Sequence, residues 1–221
     1  MTVDFDLCVI TRRVAQLERG HLEVARAALE GNARIVQLRE KSLSDREFWQ
    51  LASELRALTR RHGALLLVND RVDIALAVEA EGVHLGQDDL PIEAARRLLG
   101  PAAIIGASVA NAAEARAAEV AGATYVSVGS VFATSSKSDA GEAIGVGPIR
   151  EVRRATSVPV LAVGGITRGN VAEVIRAGAH GAAVISAVAE AADMVEATSE
   201  LRRLVRKARQ GALQEQVHDT A

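Results

Sequence analysis

A single cysteine, three lysines and no long apolar run set the first limits on this 221-residue chain. The lone Cys8 excludes an internal disulfide and reads as a small core residue, as expected for a soluble protein of the cytoplasm. No stretch approaches the roughly 18 consecutive apolar residues that a membrane span needs. The opening residues MTVDFDLCVIT show no basic region followed by an apolar core, so no signal peptide is expected. A formal net charge of −2 gives no reason to expect nucleic acid or a membrane surface as partner. The length suits one domain with a full core, or two small ones.

Several catalytic signatures are also missing. Neither G-x-S-x-G nor H-E-x-x-H occurs, and the absence of any Gly-Lys pair excludes a Walker A loop. The first apolar run is followed by Thr11-Arg12-Arg13 where a dinucleotide-binding sheet would want G-x-G-x-x-G, and Gly145-Val146-Gly147 lacks the third glycine. The three lysines are Lys41, Lys137 and Lys207, in a chain that otherwise uses arginine. An ammonium is a compact point charge that the planar guanidinium does not replace, so each lysine invites a functional reading beside the bland one of a surface position. Lys207, within LRRLVRKAR, keeps the bland reading.

What is present is a recurring unit. In Leu66–Pro91 two short apolar runs flank a helical-looking segment, and each run ends in a carboxylate-bearing cluster, Asn69-Asp70 and Gln87-Asp88-Asp89. Strands are predicted at Leu7–Thr11, Arg34–Leu38, Ala64–Asn69, Gly82–Leu85, Ile104–Ser108, Thr124–Val128, Val158–Val163 and Gly181–Ile185. They are nearly continuous apolar runs, as strands buried on both faces should be. Helical spacing lies between them, as over Ser44–His62 and Val171–Ala177. Ser44 with Glu47 and Asn111 with Glu114 have capping-box spacing, and Pro148 suits a first helical turn. AVEAEGVHLG, AEVAGATYVSV and VIRAGAHGAAVI form a weak repeat in which a glycine is expected to end a helix with positive φ. Eight β-then-α units predict a single (β/α)₈ TIM barrel over residues 1–208, with 209–221 a tail and the chain from Arg206 onward a fraying helix end. His84 reads as a satisfied interior residue, and Trp49 as packing on the second helix.

In such a barrel the chemistry sits at the carboxyl ends of the strands. There the chain places Gln37 to Lys41, Asn69-Asp70, Asp89, Ser108, the loop Ser130–Gly145, Gly164-Gly165 and Ile185-Ser186. Arg39, Lys41 and Lys137 can form a cationic cluster, and Asp70 with Asp89 can hold a divalent ion. Oxygen-only ligands favour Mg²⁺ over zinc, and cations beside a metal suggest a diphosphate. Capping of the following helices is the competing use of both acids. The glycines after strand seven and the serine after strand eight occupy a common phosphate-binding place, against which stands a glycine turn needed for conformation alone. The long Ser130–Gly145 connection reads as a mobile lid, with a plain surface loop as alternative.

With these positions in hand, the strings VQLREK (Val36–Lys41), VNDRVDIA (Val68–Ala75), GVHLGQDDLP (Gly82–Pro91), IGAS (Ile105–Ser108), AVGGIT (Ala162–Thr167) and GAAVISAV (Gly181–Val188), together with the Thr/Ser/Lys loop, resemble the thiamine-phosphate synthase family. The resemblance implies a TIM barrel that joins an aminopyrimidine methyl diphosphate to a thiazole phosphate and releases pyrophosphate. Carried over by position, Gln37, Leu38, Arg39, Glu40, Lys41, Asn69, Ser108 and Lys137 would bind the pyrimidine diphosphate. Arg39, Lys41, Ser108 and Lys137 would be the catalytic group, and Asp70 and Asp89, not Asp88, would hold Mg²⁺. Thr134, Ser135, Ser136, Gly165, Ile185 and Ser186 would bind the thiazole phosphate. Partners would be small phosphorylated substrates, with association into a homo-oligomer left open.

The chain departs from the family where a proline often stands at the positions of Ser130 and Ala133 and a threonine at that of Ser136. A hydroxyl survives at Ser136, while loss of two prolines should loosen the lid. The related thiazole tautomerase resembles the same pattern but carries a histidine where this chain has Ser130. That difference and the two metal acids favour the synthase. A catalytically silent thiazole-phosphate binder is a second rival, against which stand Arg39, Asp70, Asp89 and Lys137.

Overall fold

Short β-branched and leucine-rich runs form the strands because both of their faces are covered. The computed structural model describes residues 3–136 and 141–218. Its strands are β1 (Leu7–Thr11), β2 (Ile35–Leu38), β3 (Leu65–Asn69), β4 (Gly82–Leu85), β5 (Ile104–Val109), β6 (Tyr125–Val128), β7 (Val160–Val163) and β8 (Gly181–Val184). They form a closed barrel in chain order, every pair parallel, with β8 returning to β1 through Leu7↔Ala182, Cys8↔Ala183 and Val9↔Val184. The expected (β/α)₈ architecture is present, and each predicted strand is found within a residue or two of its expected ends.

The helices are α1 (His21–Glu30), α2 (Asp45–Arg61), α3 (Val72–Ala77), α4 (Ile92–Leu99), α5 (Ala112–Val120), α6 (Gly147–Ala155), α7 (Val171–Arg176), α8 (Ser186–Ala189) and α9 (Met194–His218). Ser44 caps α2 by accepting from the Glu47 N–H while Glu47 returns to the Ser44 N–H at 3.0 Å. Asn111 caps α5 through the Ala113 and Glu114 N–H groups, and Pro148 stands in the first turn of α6. Trp49, by contrast, is 45% exposed. The buried stripe of α2 runs through Phe48, Ala52, Leu55 and Leu58, and Trp49 lies one position round the helix.

Strand alternation divides the core. Cys8, Ile10, Ile35, Leu67, Tyr125 and Leu161 pack together inside the barrel. Their neighbours Val9, Val36, Leu38, Val68 and Val83 face outward into the layer under the helices. The glycines of the repeat have two different tasks. Gly122 and Gly178 have φ of 98° and 108° and end helices as expected. In AVEAEGVHLG the left-handed residue is instead Glu79, while Gly82 opens β4. There a Cβ would fall 1.7 Å from the Ile104 carbonyl oxygen, so Gly82 is required by close strand approach.

At the amino-terminal face, Asp6 is buried and paired with Arg206 at 2.6 Å and Arg209 at 2.7 Å, while Asp4 pairs with Arg202 and Arg206. These contacts tie the lead-in to β1 against α9, satisfying a carboxylate that burial would otherwise penalise. The residues read from sequence as a fraying end are helical as far as His218, and Arg206 and Arg209 are anchored.

Inside the barrel the Tyr125 ring occupies the space a side chain at Gly106 would need, its Cζ lying 2.1 Å from where a Cβ would be built. Gly106→Ala should therefore cost about 1–3 kcal/mol by overpacking. Gly211→Ala, in open space on α9, should instead stabilise by roughly 0.5–1 kcal/mol through helix propensity. Urea midpoints that move in opposite directions would bear this out; equal shifts would not.

Candidate active site

Parallel closure brings all eight strand ends to one rim. Asn69 ends β3, and Asp70 follows with φ of 63°, its N–H donating to the His84 carbonyl at 2.9 Å. Aspartate is among the few side chains that tolerate this left-handed geometry, and here it turns the carboxyl back over the rim. Neither acid caps the helix that follows: α3 is preceded by Arg71 and α4 by Pro91, each without a side-chain capping bond. Asp89 accepts instead from the Gly86 N–H at 2.6 Å. The competing use of both acids is thereby removed. Asp88 is exposed, whereas Asp89 is half-buried beside Asp70.

The pair is electrostatically uncomfortable. Burial, then the hydrogen bond and negative charge of Asp89, push the Asp70 carboxyl up to about 6, against the pull of Lys41 and Arg39. Lys41 Nζ stands 3.8 Å from Asp70 Oδ2. Metal-ligand chemistry fits this arrangement. The donors are hard oxygens, and among the described residues no group of three or more His, Cys, Asp or Glu builds a cage by itself. Two carboxylates completed by water and substrate oxygens are a usual way to hold Mg²⁺.

The loop after β2 is organised by Glu40. One carboxylate oxygen accepts from the Lys41 N–H at 2.6 Å, the Ser42 N–H at 2.7 Å and the Ser42 hydroxyl at 2.8 Å. The other lies 3.2 Å from His21 Nε2. Burial opposes these bonds, yet together they hold the Glu40 carboxyl below its ordinary value. Leu38, fully buried, points into the layer beneath the helices, so anything it gives a ligand comes from its main chain. Gln37 points into the barrel, where its Oε1 is buried and, among the described residues, without a hydrogen-bond partner.

Beneath the rim, His84 Nδ1 lies 2.9 Å from the Tyr125 hydroxyl and Nε2 lies 3.0 Å from Ser108 Oγ. His84 is thus the satisfied interior residue expected from sequence. It orients Ser108 at the floor of a cavity of about 220 Å³. That cavity is lined on the remaining sides by Ser130, Thr134, Ser136, Gly165, Ile185 and Ser186. Ser136 donates to Ser186 Oγ at 3.0 Å, joining the β6–α6 connection to the first turn of α8. A short extra helix after the last strand is a frequent phosphate cradle in these barrels.

Gly164 and Gly165 have φ of 97° and 61°, and Cβ atoms there would meet Ser130 and Ala133 at 2.6 Å. Their conformation and the overlying loop already require glycine. The loop's two ends are pinned, Val131 N–H to the Val163 carbonyl and Ile144 N–H to that of Ser130, both at 2.9 Å.

Five of the six residues expected at the thiazole phosphate line this cavity, while Ser135 is exposed and outside it. Of the described residues of the pyrimidine-diphosphate set only Ser108 lines it; Arg39, Lys41, Asp70 and Asp89 stand on the rim outside it. Lys137 lies outside the described residues. Sequence reasoning passed over His21 and Ser127. Ser127, alternating with Tyr125 along β6, was open to discovery from strand periodicity, since both must share the barrel interior. His21 carries no such signal.

Residues 7–188 match the thiamine monophosphate synthase family. A thiamine-phosphate synthase of Moorella thermoacetica is 51% identical over 93% of this chain and 98% of its own length. One from Methanoregula boonei is 50% identical over 93% and 95%. The solved thiamine phosphate pyrophosphorylase from Pyrococcus furiosus superposes with a TM-score of 0.84 at 45% identity, covering 93% of this chain and 97% of that one. Over nearly its whole barrel, then, the chain belongs to the thiamine monophosphate synthase family.

Proposed function

We propose that this protein joins an aminopyrimidine methyl diphosphate to a thiazole phosphate, yielding thiamine phosphate and pyrophosphate. The observation that carries the reading is the rim itself: a self-repelling Asp70–Asp89 pair beside Lys41 and Arg39, adjoining a hydroxyl-lined cavity. The carboxylates and cations suit a metal-bound diphosphate, and the cavity suits a second, singly phosphorylated molecule.

In this reading Asp70 and Asp89 hold Mg²⁺, which when bound supplies positive charge to the diphosphate oxygens. Arg39 and Lys41, with Lys137 assigned by resemblance, stabilise negative charge growing on the leaving pyrophosphate. The bond from the pyrimidine methylene carbon to oxygen breaks with its electron pair leaving on pyrophosphate. The electron-rich aminopyrimidine spreads the positive charge left on that carbon. Ser108, Asn69 and Gln37 hold the ring in place. Thr134, Ser136, Gly165, Ile185 and Ser186 grip the thiazole phosphate so that the ring nitrogen lone pair forms the new carbon–nitrogen bond. No protein nucleophile is needed, and the loop over residues 130–145 acts as the lid that keeps water from the cation.

Asp89→Ala should lower Mg²⁺-dependent formation of thiamine phosphate by roughly 10²–10³-fold with an unchanged circular dichroism spectrum. Full activity of that variant at limiting Mg²⁺ would remove the metal assignment. In the same assay, wild-type protein given both substrates and Mg²⁺ should release one pyrophosphate per thiamine phosphate. Isomerisation of a thiazole carboxylate phosphate without the pyrimidine would instead favour the tautomerase reading.

Ser186→Ala removes a hydroxyl bonded to Ser136 at the cavity mouth. It should raise KM for the thiazole phosphate about 10-fold or more, as for a lost bond to a charged group. KM for the pyrimidine diphosphate should stay within about twofold, since the two substrates rest on different residues. Equal rises for both would argue against the division of the rim.

A further inference from the structure

The interior of α1 and β1 contains a polar chain that the reaction outlined above does not use. Thr11, the last residue of β1, is fully buried, and its hydroxyl lies 2.8 Å from His21 Nδ1 and 3.3 Å from the Gln37 carbonyl. His21, first residue of α1, is 7% exposed, and its Nε2 lies 3.2 Å from Glu40 Oε2. The other oxygen of Glu40 gathers the Lys41 and Ser42 main-chain N–H groups. A continuous set of bonds thus joins the end of β1 to the loop that carries Arg39 and Lys41.

We infer that His21 is a positioning residue for the diphosphate half of the site, holding Glu40 so that the Arg39–Lys41 loop keeps its shape against the Asp70–Asp89 pair. The inference rests on the reading of this rim as the pyrimidine-diphosphate site.

Thr11 has one hydroxyl hydrogen, which serves either His21 Nδ1 at 2.8 Å or the Gln37 carbonyl at 3.3 Å. With the imidazole uncharged and protonated on Nε2, that hydrogen goes to the nearer Nδ1 while Nε2 donates to Glu40. Burial, aided by the charge of Arg13, favours that uncharged form, while Glu40 pulls the other way. Both oxygens of Glu40 are engaged within the protein. Its place in the Gln37–Lys41 set is to shape the loop, and His21 fixes it from behind. Lys41 already stands 3.8 Å from Asp70 Oδ2, and a Glu40 carboxylate clamped at both oxygens fixes the loop in that arrangement, so that Arg39 and Lys41 meet a ligand from a set geometry.

The test compares His21→Leu, which removes both bonds, with His21→Gln, whose amide can still donate to Glu40 and accept from Thr11. Calorimetry with inorganic pyrophosphate and Mg²⁺ supplies a readout independent of turnover, and steady-state assays supply KM for each substrate. His21→Leu should weaken pyrophosphate binding and raise KM for the pyrimidine diphosphate about tenfold, with KM for the thiazole phosphate within about twofold. His21→Gln should restore both values. Unchanged pyrophosphate affinity in His21→Leu, an equal rise for both substrates, or a glutamine variant as impaired as the leucine one would overturn the inference. Should His21→Leu not fold, Glu40→Gln decides: the same selective weakening supports it and wild-type affinity refutes it. A wild-type protein that binds pyrophosphate but makes no thiamine phosphate would defeat the functional reading alone, leaving the calorimetric comparison to judge His21.

Discussion

Everything in this molecule depends on closing eight parallel strands into a ring. Closure removes both sheet edges and forces every strand to deliver its last residue to the same rim. It also demands close backbone approach, which is why β4 opens with Gly82 and why Gly181 opens β8: a Cβ at either would fall within 2 Å of a neighbouring carbonyl oxygen. The seam between β8 and β1 carries an additional tie. Asp4 and Asp6, just ahead of β1, are paired with arginines of α9, the last helix to cover the barrel. A site assembled from six or more strand ends has no meaning until that seam is shut.

The rim then separates two kinds of chemistry over a short distance. On the side of β2 to β4 stand charged groups of both signs at the rim, Arg39, Asp70 and Asp89 half-buried and Lys41 exposed. On the side of β5 to β8 the groups, among the described residues, are hydroxyls and main chain around a cavity. Ser108, held by His84 from below, is where the two halves meet. This division matches a reaction between a diphosphate that needs strong charge neutralisation and a monophosphate that needs only positioning. It also explains why the described cavity is small: the charged half lies outside it, on the rim.

How much of this was legible in the chain follows from what kind of signal each feature leaves. Strands buried on both faces leave unbroken apolar runs, so the barrel and its rim could be read directly. Asp70 and Asp89 stood out because they follow two such runs at equivalent places, and the absence of capping bonds confirms that local helix chemistry does not explain them. Features that depend on three-dimensional neighbours left no such trace. Trp49 was misjudged because one step round α2 separates Phe48, which is buried, from a solvent-facing position. Gly82 looked like a helix terminator and proved to be a strand-packing residue, while Glu79 took the left-handed turn. His21 was invisible for the same reason: its partners lie 10 and 19 positions away, and no periodicity links them.

The Asp70–Asp89 pair shows how function opposes stability at this rim. A carboxyl whose value is raised to about 6 on folding, from an ordinary 3.8, binds its proton more tightly in the folded chain than in the unfolded one. Folding is then favoured by this group below about pH 4, and the benefit fades as pH rises through 4 to 6. Towards neutral pH that benefit is lost, and the Asp70 charge must be held beside the Asp89 carboxyl. Lys41 relieves only part of this repulsion from 3.8 Å, since that ammonium is itself well exposed to water. Under the proposed metal assignment, a divalent cation arriving with a diphosphate would relieve much more of it. On that assignment the repulsion would favour the charged ligand over solvent and return when it leaves, which suits a site that releases pyrophosphate on every turnover.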